Sequence, residues 1–80
     1  MIKTHMEKHT IIASQNIPDG HTCVDYFQRH NGSFGFEEYR RDPEDNRGWF
    51  VVGFYGHNVF KSLLAAEEYS LKKIGWLKNL

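Results

Sequence analysis

The longest regular pattern of apolar positions lies near the C-terminal end of the chain. Phe60, Leu63, Leu64, Leu71 and Ile74 recur so that they share one side of a helix with roughly 3.6 residues per turn. Asn58 stands where a residue with a side-chain oxygen caps a helix start, and Lys72 and Lys73 suit the negative end of its dipole. Gly75 then stops the helix and frees Trp76 and Leu77 to fold back on its last turn. Glu68 and Lys72 form a favourable pair on the solvated face. This period predicts a buried stripe that includes Leu64.

Upstream the apolar spacing tightens towards the alternation of strands. Trp49 to Tyr55 is the clearest strand signal, and Ser33 to Arg41, with Phe34 and Phe36 alternating before Tyr39, is its expected neighbour. Between them Asp42 to Gly48 is a polar loop in which Pro43 and Gly48 forbid continued pairing. His21 to His30 offers the β formers Thr22, Cys23, Val24, Tyr26 and Phe27 and runs into Asn31-Gly32, a two-residue hairpin signal. The same segment also reads as a short helix capped by Thr22 and Asp25, but its apolar set is short for one, which favours the strand. Thr10 to Ala13 is a brief β-branched patch before the turn signal Asn16-Ile17-Pro18-Asp19-Gly20.

These elements predict an α+β fold. An antiparallel meander of three strands, or four with Thr10 to Ala13, carries one C-terminal amphipathic α-helix packed on one face. Residues 1–9 have no period and are expected to be a loose end, leaving 10–80 as a single small domain.

Composition narrows the function classes. Eighty residues make one small domain, and a lone cysteine, Cys23, closes the disulfide route. A single buried thiol suits a reducing compartment, so the expected location is cytoplasmic. The unbroken apolar run Trp49 to Val52, which no other run exceeds, is far shorter than the ~18 residues of a membrane span, and no membrane association is expected. Ten basic side chains balance ten acidic ones, whereas proteins that hold phosphate backbones usually carry a basic excess. Aromatic residues make up 15% of the chain, enough to fill a small core without cross-links.

Candidate chemistry is thin. Asp42, Glu44 and Asn46 alternate like calcium ligands, but Arg47 stands where the sharp-turn glycine belongs and Gly53 where a bidentate glutamate belongs. His5, His9 and the His21/Cys23 pair lack the paired spacing of zinc sites. Ser70-Leu71-Lys72-Lys73 matches a hydrolase Ser-x-x-Lys pattern without its companion motifs, and the adjacent pairs Glu37-Glu38 and Glu67-Glu68 point apart. No metal, cofactor or catalytic set is expected. Strand parity instead yields two aromatic sets, Phe34, Phe36, Phe50, Val52 and Phe54 against Tyr39, Trp49, Val51 and Tyr55, and one helix covers one set. The leading expectation is a non-catalytic interaction module, a homodimer or homo-oligomer or a protein adaptor, that uses Tyr39, Trp49, Val51 and Tyr55 as its open face.

One resemblance suggests an alternative. Phe34-Gly35-Phe36 followed by Tyr39 resembles the first ribonucleoprotein motif of cold-shock and RNA-recognition domains, and Phe50 to Phe54 resembles the second such motif of cold-shock proteins. The resemblance spans Val24 to Phe54 and implies a single-stranded nucleic-acid binder. Phe34, Phe36, Tyr39 and Trp49 would stack on bases while Arg40 and Arg41 meet phosphates. The sequence departs from the pattern where Asn31 and Ser33 replace a Lys-Gly lead-in, where Glu37 and Glu38 bring acids beside the stacking face, and where a helix replaces the closing strands. The layout alone is similar to the sheet and helix of plant AP2-type DNA-binding domains, but acids stand among Arg29, Arg40, Arg41 and Arg47 here.

Overall fold

Alternating β formers separated by glycine turns build the sheet in chain order. The computed structural model describes residues 9–44 and 47–80. In it β1 (His9–Asn16), β2 (Thr22–Arg29), β3 (Phe34–Arg41) and β4 (Trp49–Val51) form one antiparallel sheet, each strand beside the next. Helix α1 (Leu63–Lys73) follows, then a 3-10 turn over Gly75–Asn79. The α+β meander read from the sequence is the one the chain forms, in its four-stranded version. β1 extends beyond the Thr10 to Ala13 patch and takes in His9, the last residue of the segment expected to be loose. The rest of that segment, residues 1–8, lies outside the described residues.

Both early turns close through local bonds. The Gly20 amide donates to the Ile17 carbonyl at 2.9 Å, with Gly20 at φ +80°, and Pro18 and Asp19 occupy the two positions between. At the next reversal Gly32 donates to the Arg29 carbonyl and Arg29 to the Ser33 carbonyl. Only Gly32 of the Asn31-Gly32 pair has positive φ, so the expected two-residue turn is instead a tight turn followed by a glycine bulge. Asn31 serves another purpose: its side-chain oxygen accepts from the Ser33 amide and hydroxyl.

The helix packs on Val24, Tyr26 and Phe36 with a stripe different from the expected one. Ser62, not Asn58, is the N-cap, its hydroxyl accepting from the Ala65 amide at 3.1 Å. Ala66, Ser70 and Ile74 are buried, Leu63 and Tyr69 half-buried, and Leu77 of the 3-10 turn completes the core. Small residues at 66 and 70 let the helix approach the sheet closely. There the Ser70 hydroxyl donates to the Glu67 carbonyl and accepts from the Tyr26 phenol, both at 2.7 Å. Burial pushes the Tyr26 pKa up. Leu64 is 64% exposed and Leu71 41%, so the stripe containing them is corrected. Leu64→Ala is expected to cost less than about 0.5 kcal/mol in urea unfolding, not the 2 to 5 of a buried leucine. Past the helix the chain turns at Gly75 as expected, but Trp76 reaches the sheet and not the helix's last turn, donating its indole N–H to Glu38 on β3 at 2.9 Å.

Phe36 sits at the centre of an aromatic cluster, its ring centroid 5.2 Å from Tyr55, 5.9 Å from Phe60, 6.0 Å from Tyr26 and 6.1 Å from Tyr69. These spacings fall within the attractive range for tilted and offset rings. No helix among the described residues is long and apolar enough to cross a membrane.

Candidate interaction surface

The sheet face away from α1 carries Cys23, Asp25 and Phe27 from β2 and Glu37 and Tyr39 from β3, all buried. It is therefore not the open aromatic face expected. His9 stacks on Phe27 at 4.4 Å between ring centroids, and the Arg29 guanidinium lies 5.0 Å from the same ring. Register places Asp25 directly opposite Glu37, an arrangement that is repulsive unless the carboxylates find separate partners. They do: Asp25 accepts from the Ser14 hydroxyl on β1, while Glu37 turns the other way, towards the segment after β4. Burial, with the charges of Asp25, Glu37 and Cys23 adding to it, pushes the Tyr39 phenol up to about 12.

The residues singled out from the sequence divide between the two faces. Tyr39 pairs with Val51, and Trp49 with Arg41, whose guanidinium lies 5.2 Å from the Trp49 ring. Tyr55 belongs to the other side, packed on Phe36 beneath the helix. The nucleic-acid set splits as well. Phe36 is fully buried in the helix-side core with Phe34 packed against that core, whereas Tyr39 and Trp49 lie on the opposite face. Alternate strand residues point to opposite sides, and an even and an odd position on β3 cannot make one stacking platform. Arg40 and Arg41 diverge for the same reason. Asp45, Asn46 and His5 lie outside the described residues, and no three His, Cys, Asp or Glu side chains among the described residues gather closely enough to share an ion.

The segment from Val52 to Phe60 departs furthest from expectation. The strand predicted to Tyr55 ends at Val51, although the Val52 amide still donates to the Glu38 carbonyl. Pairing resumes only at Phe60, which exchanges two backbone bonds with Phe34. Between these points the chain bows away from β3, and two charged side chains fill the gap. The Glu37 carboxylate accepts from the amides of Tyr55 at 2.9 Å and Gly56 at 2.8 Å, and from its neighbour Glu38 at 3.0 Å. The Arg29 guanidinium donates to the carbonyls of Gly56 at 2.7 Å, Asn58 at 2.9 Å and Phe34 at 3.0 Å. Partial burial lowers the Arg29 pKa, but a guanidinium keeps its charge in a protein. The two side chains thus supply the bonds that a strand would have made, one to the N–H groups and one to the carbonyls.

This fixed loop presents apolar side chains to solvent. Phe54 and Val59 are each 68% exposed. Phe54 also has φ +57°, and among the described residues it is the one non-glycine with a positive φ. Such a backbone costs a residue with a Cβ roughly 1 to 2 kcal/mol. Tyr55, next along, turns inward and lays its ring on Phe36, so the strain at Phe54 accompanies a reversal of side-chain direction. The sequence signal that would have found the loop is Gly53-Phe54-Tyr55-Gly56, two glycines interrupting the alternation that begins at Trp49. Nothing local marks Glu37 and Arg29 as its anchors. No family model matches the chain, and neither does any curated protein or solved structure.

Proposed function

We propose that this chain is a non-catalytic interaction module that binds another polypeptide through Phe54 and the apolar side chains of its loop. One observation carries the reading: Phe54 sits at φ +57° with 68% of its surface exposed, on a loop whose backbone is fixed by Glu37 and Arg29. A glycine would adopt that backbone without strain, so a phenylalanine there serves something other than the fold. A ring held on a fixed backbone loses little conformational freedom on binding, which favours contact. The reading keeps the homo-oligomer or adaptor role expected from the sequence and moves the contact from the sheet face to the loop. Nucleic acid is the weaker reading, because the stacking set is divided between two faces and the net charge is zero.

Photo-cross-linking tests the proposal. With p-benzoylphenylalanine in place of Phe54, irradiation in cells is expected to give a discrete adduct, while the same photo-residue at the exposed helix position Glu68 gives none. A blank at position 54 overturns the reading. The adduct's mass separates a second copy, at twice the 9.4 kDa of the chain, from a different polypeptide.

A further inference from the structure

We infer that Asn31 is a site of spontaneous self-modification, at which the Gly32 backbone nitrogen displaces ammonia from the Asn31 carboxamide and the turn itself supplies the catalytic groups. The inference is independent of the reading of Phe54. A bond forms between the Gly32 nitrogen and Asn31 Cγ, the Cγ–Nδ2 bond breaks, and the carboxamide NH₂ leaves as ammonia with the proton that the Gly32 amide gives up. The succinimide ring so formed takes up a water and opens to aspartate or isoaspartate. The net exchange is water in and ammonia out.

Such an attack needs an uncrowded nitrogen, and Asn31 is the one asparagine of the chain that precedes a glycine. Asn16, Asn46, Asn58 and Asn79 are followed by Ile17, Arg47, Val59 and Leu80, whose side chains crowd the attacking atom. Asn31 and Gly32 are both exposed, and nothing stands within 4 Å of a Cβ built on Gly32. The Asn31 side chain is already fixed, its oxygen accepting from the Ser33 amide at 3.0 Å and from the Ser33 hydroxyl at 2.8 Å. A backbone N–H can only donate, so the carboxamide oxygen is the atom held there and the NH₂ group is left to solvent.

The two donors stand where negative charge develops. As the Gly32 nitrogen adds to Cγ, the Asn31 oxygen becomes an oxyanion, which fixed donors stabilise more than they stabilise the neutral amide. Nη1 of Arg29 donates to the Ser33 hydroxyl oxygen at 3.3 Å and so strengthens that hydroxyl as a donor. The guanidinium is itself held by the carbonyls of Phe34, Gly56 and Asn58. Ser33 is thus the catalytic residue and Arg29 the residue that positions it. One bond opposes the reaction: the Gly32 amide donates to the Arg29 carbonyl at 2.9 Å and must release it before attacking. A neutral hydrogen bond is worth about a tenfold factor or less, whereas one oxyanion donor is worth roughly 10²–10³ in a closed active site. The gain is smaller in an exposed turn, but two donors backed by a cation outweigh one neutral bond.

Incubation of the full chain in mildly alkaline buffer, followed by peptide mapping with mass spectrometry, tests the inference. Aspartate and isoaspartate are expected at position 31 while the other asparagines remain intact. Ser33→Ala removes the hydroxyl and is expected to slow conversion of the folded chain by about tenfold, whereas Ser33→Thr stays close to the wild-type rate. In urea, where the turn is lost, wild type and Ser33→Ala are expected to convert at the same rate, which separates catalysis by the turn from the reactivity of any Asn-Gly sequence. Circular dichroism confirms that the variants fold. One comparison needs no variant: the folded wild type is expected to convert faster than the wild type in urea. Conversion at another asparagine before Asn31, a folded Ser33→Ala that matches the wild type, or a folded wild type slower than the unfolded one overturns the inference.

Discussion

The reversals at Gly20 and Gly32 and the loop from Val52 to Phe60 all interrupt strands at glycines, yet different forces hold them. The two reversals are closed by bonds between residues a few positions apart, Gly20 to Ile17 and Gly32 to Arg29, with Asp19 and Asn31 side chains tying down the amides that follow. The loop takes its bonds from Glu37 and Arg29, which belong to β3 and β2 and reach it across the sheet. A tight reversal is therefore a property of its own few residues, whereas the loop is a property of the assembled sheet. That dependence puts two charged side chains in partly or fully buried positions, tolerable because backbone groups satisfy them.

Breaking the anchor gives the largest expected effect. Glu37→Ala removes the acceptor for the Tyr55 and Gly56 amides and should cost about 2 to 4 kcal/mol in urea unfolding. Glu37→Gln keeps one side-chain oxygen but turns an NH₂ group towards amide donors, so it recovers only part of that loss. Amide hydrogen exchange should localise the damage, with Tyr55 and Gly56 losing protection while Gly20 and Gly32 keep theirs. Equal loss at the reversals would mean that loop and turns unfold as one unit and that their difference is only apparent.

The same division explains how much was legible in the sequence. The meander, the strand over Thr22–Arg29 and the Pro18-Asp19-Gly20 turn follow from local chemistry, and all of them stand. The helix exists where the period put it, but its buried stripe was misjudged. Ala66 is small and Ser70 polar, so neither stands out in a pattern of bulky apolar side chains although both are fully buried, while Leu64 stands out and is exposed. A pattern of hydrophobicity cannot find a contact made through small size. The candidate surface was the least legible part. Parity alone separates Phe36 from Tyr39 on β3, but the exposure of Phe54 depends on Glu37 and Arg29, whose role appears only when β2 and β3 are side by side.

A single substitution placed in both regions sharpens the comparison. Gly53 lies within the loop, and a Cβ there would stand 2.6 Å from Cδ2 of Tyr55 and 3.0 Å from Cβ of Glu38. The Tyr55 ring is packed on Phe36 and has little room to yield. Gly53→Ala should therefore cost about 1 to 3 kcal/mol through overpacking, measured by urea unfolding.

Gly32→Ala should cost less, and for another reason. Nothing stands within 4 Å of a Cβ built at Gly32, so the penalty is the strain of φ +89° alone, about 1 kcal/mol. Gly32→Asn should cost less still, because asparagine tolerates the left-handed region. The two alanine substitutions also behave differently when the anchor is gone. Gly32→Ala should add to Glu37→Ala within about 0.5 kcal/mol, as independent sites do. Gly53→Ala should cost less in the Glu37→Ala background than in the wild type, because a loop released from Glu37 lets the Tyr55 ring move aside. A double-mutant cycle measures both couplings. A Gly53 coupling as small as that of Gly32 would mean that Glu37 does not set the loop's shape, and Phe54 would then lose the fixed backbone on which its role as a contact depends.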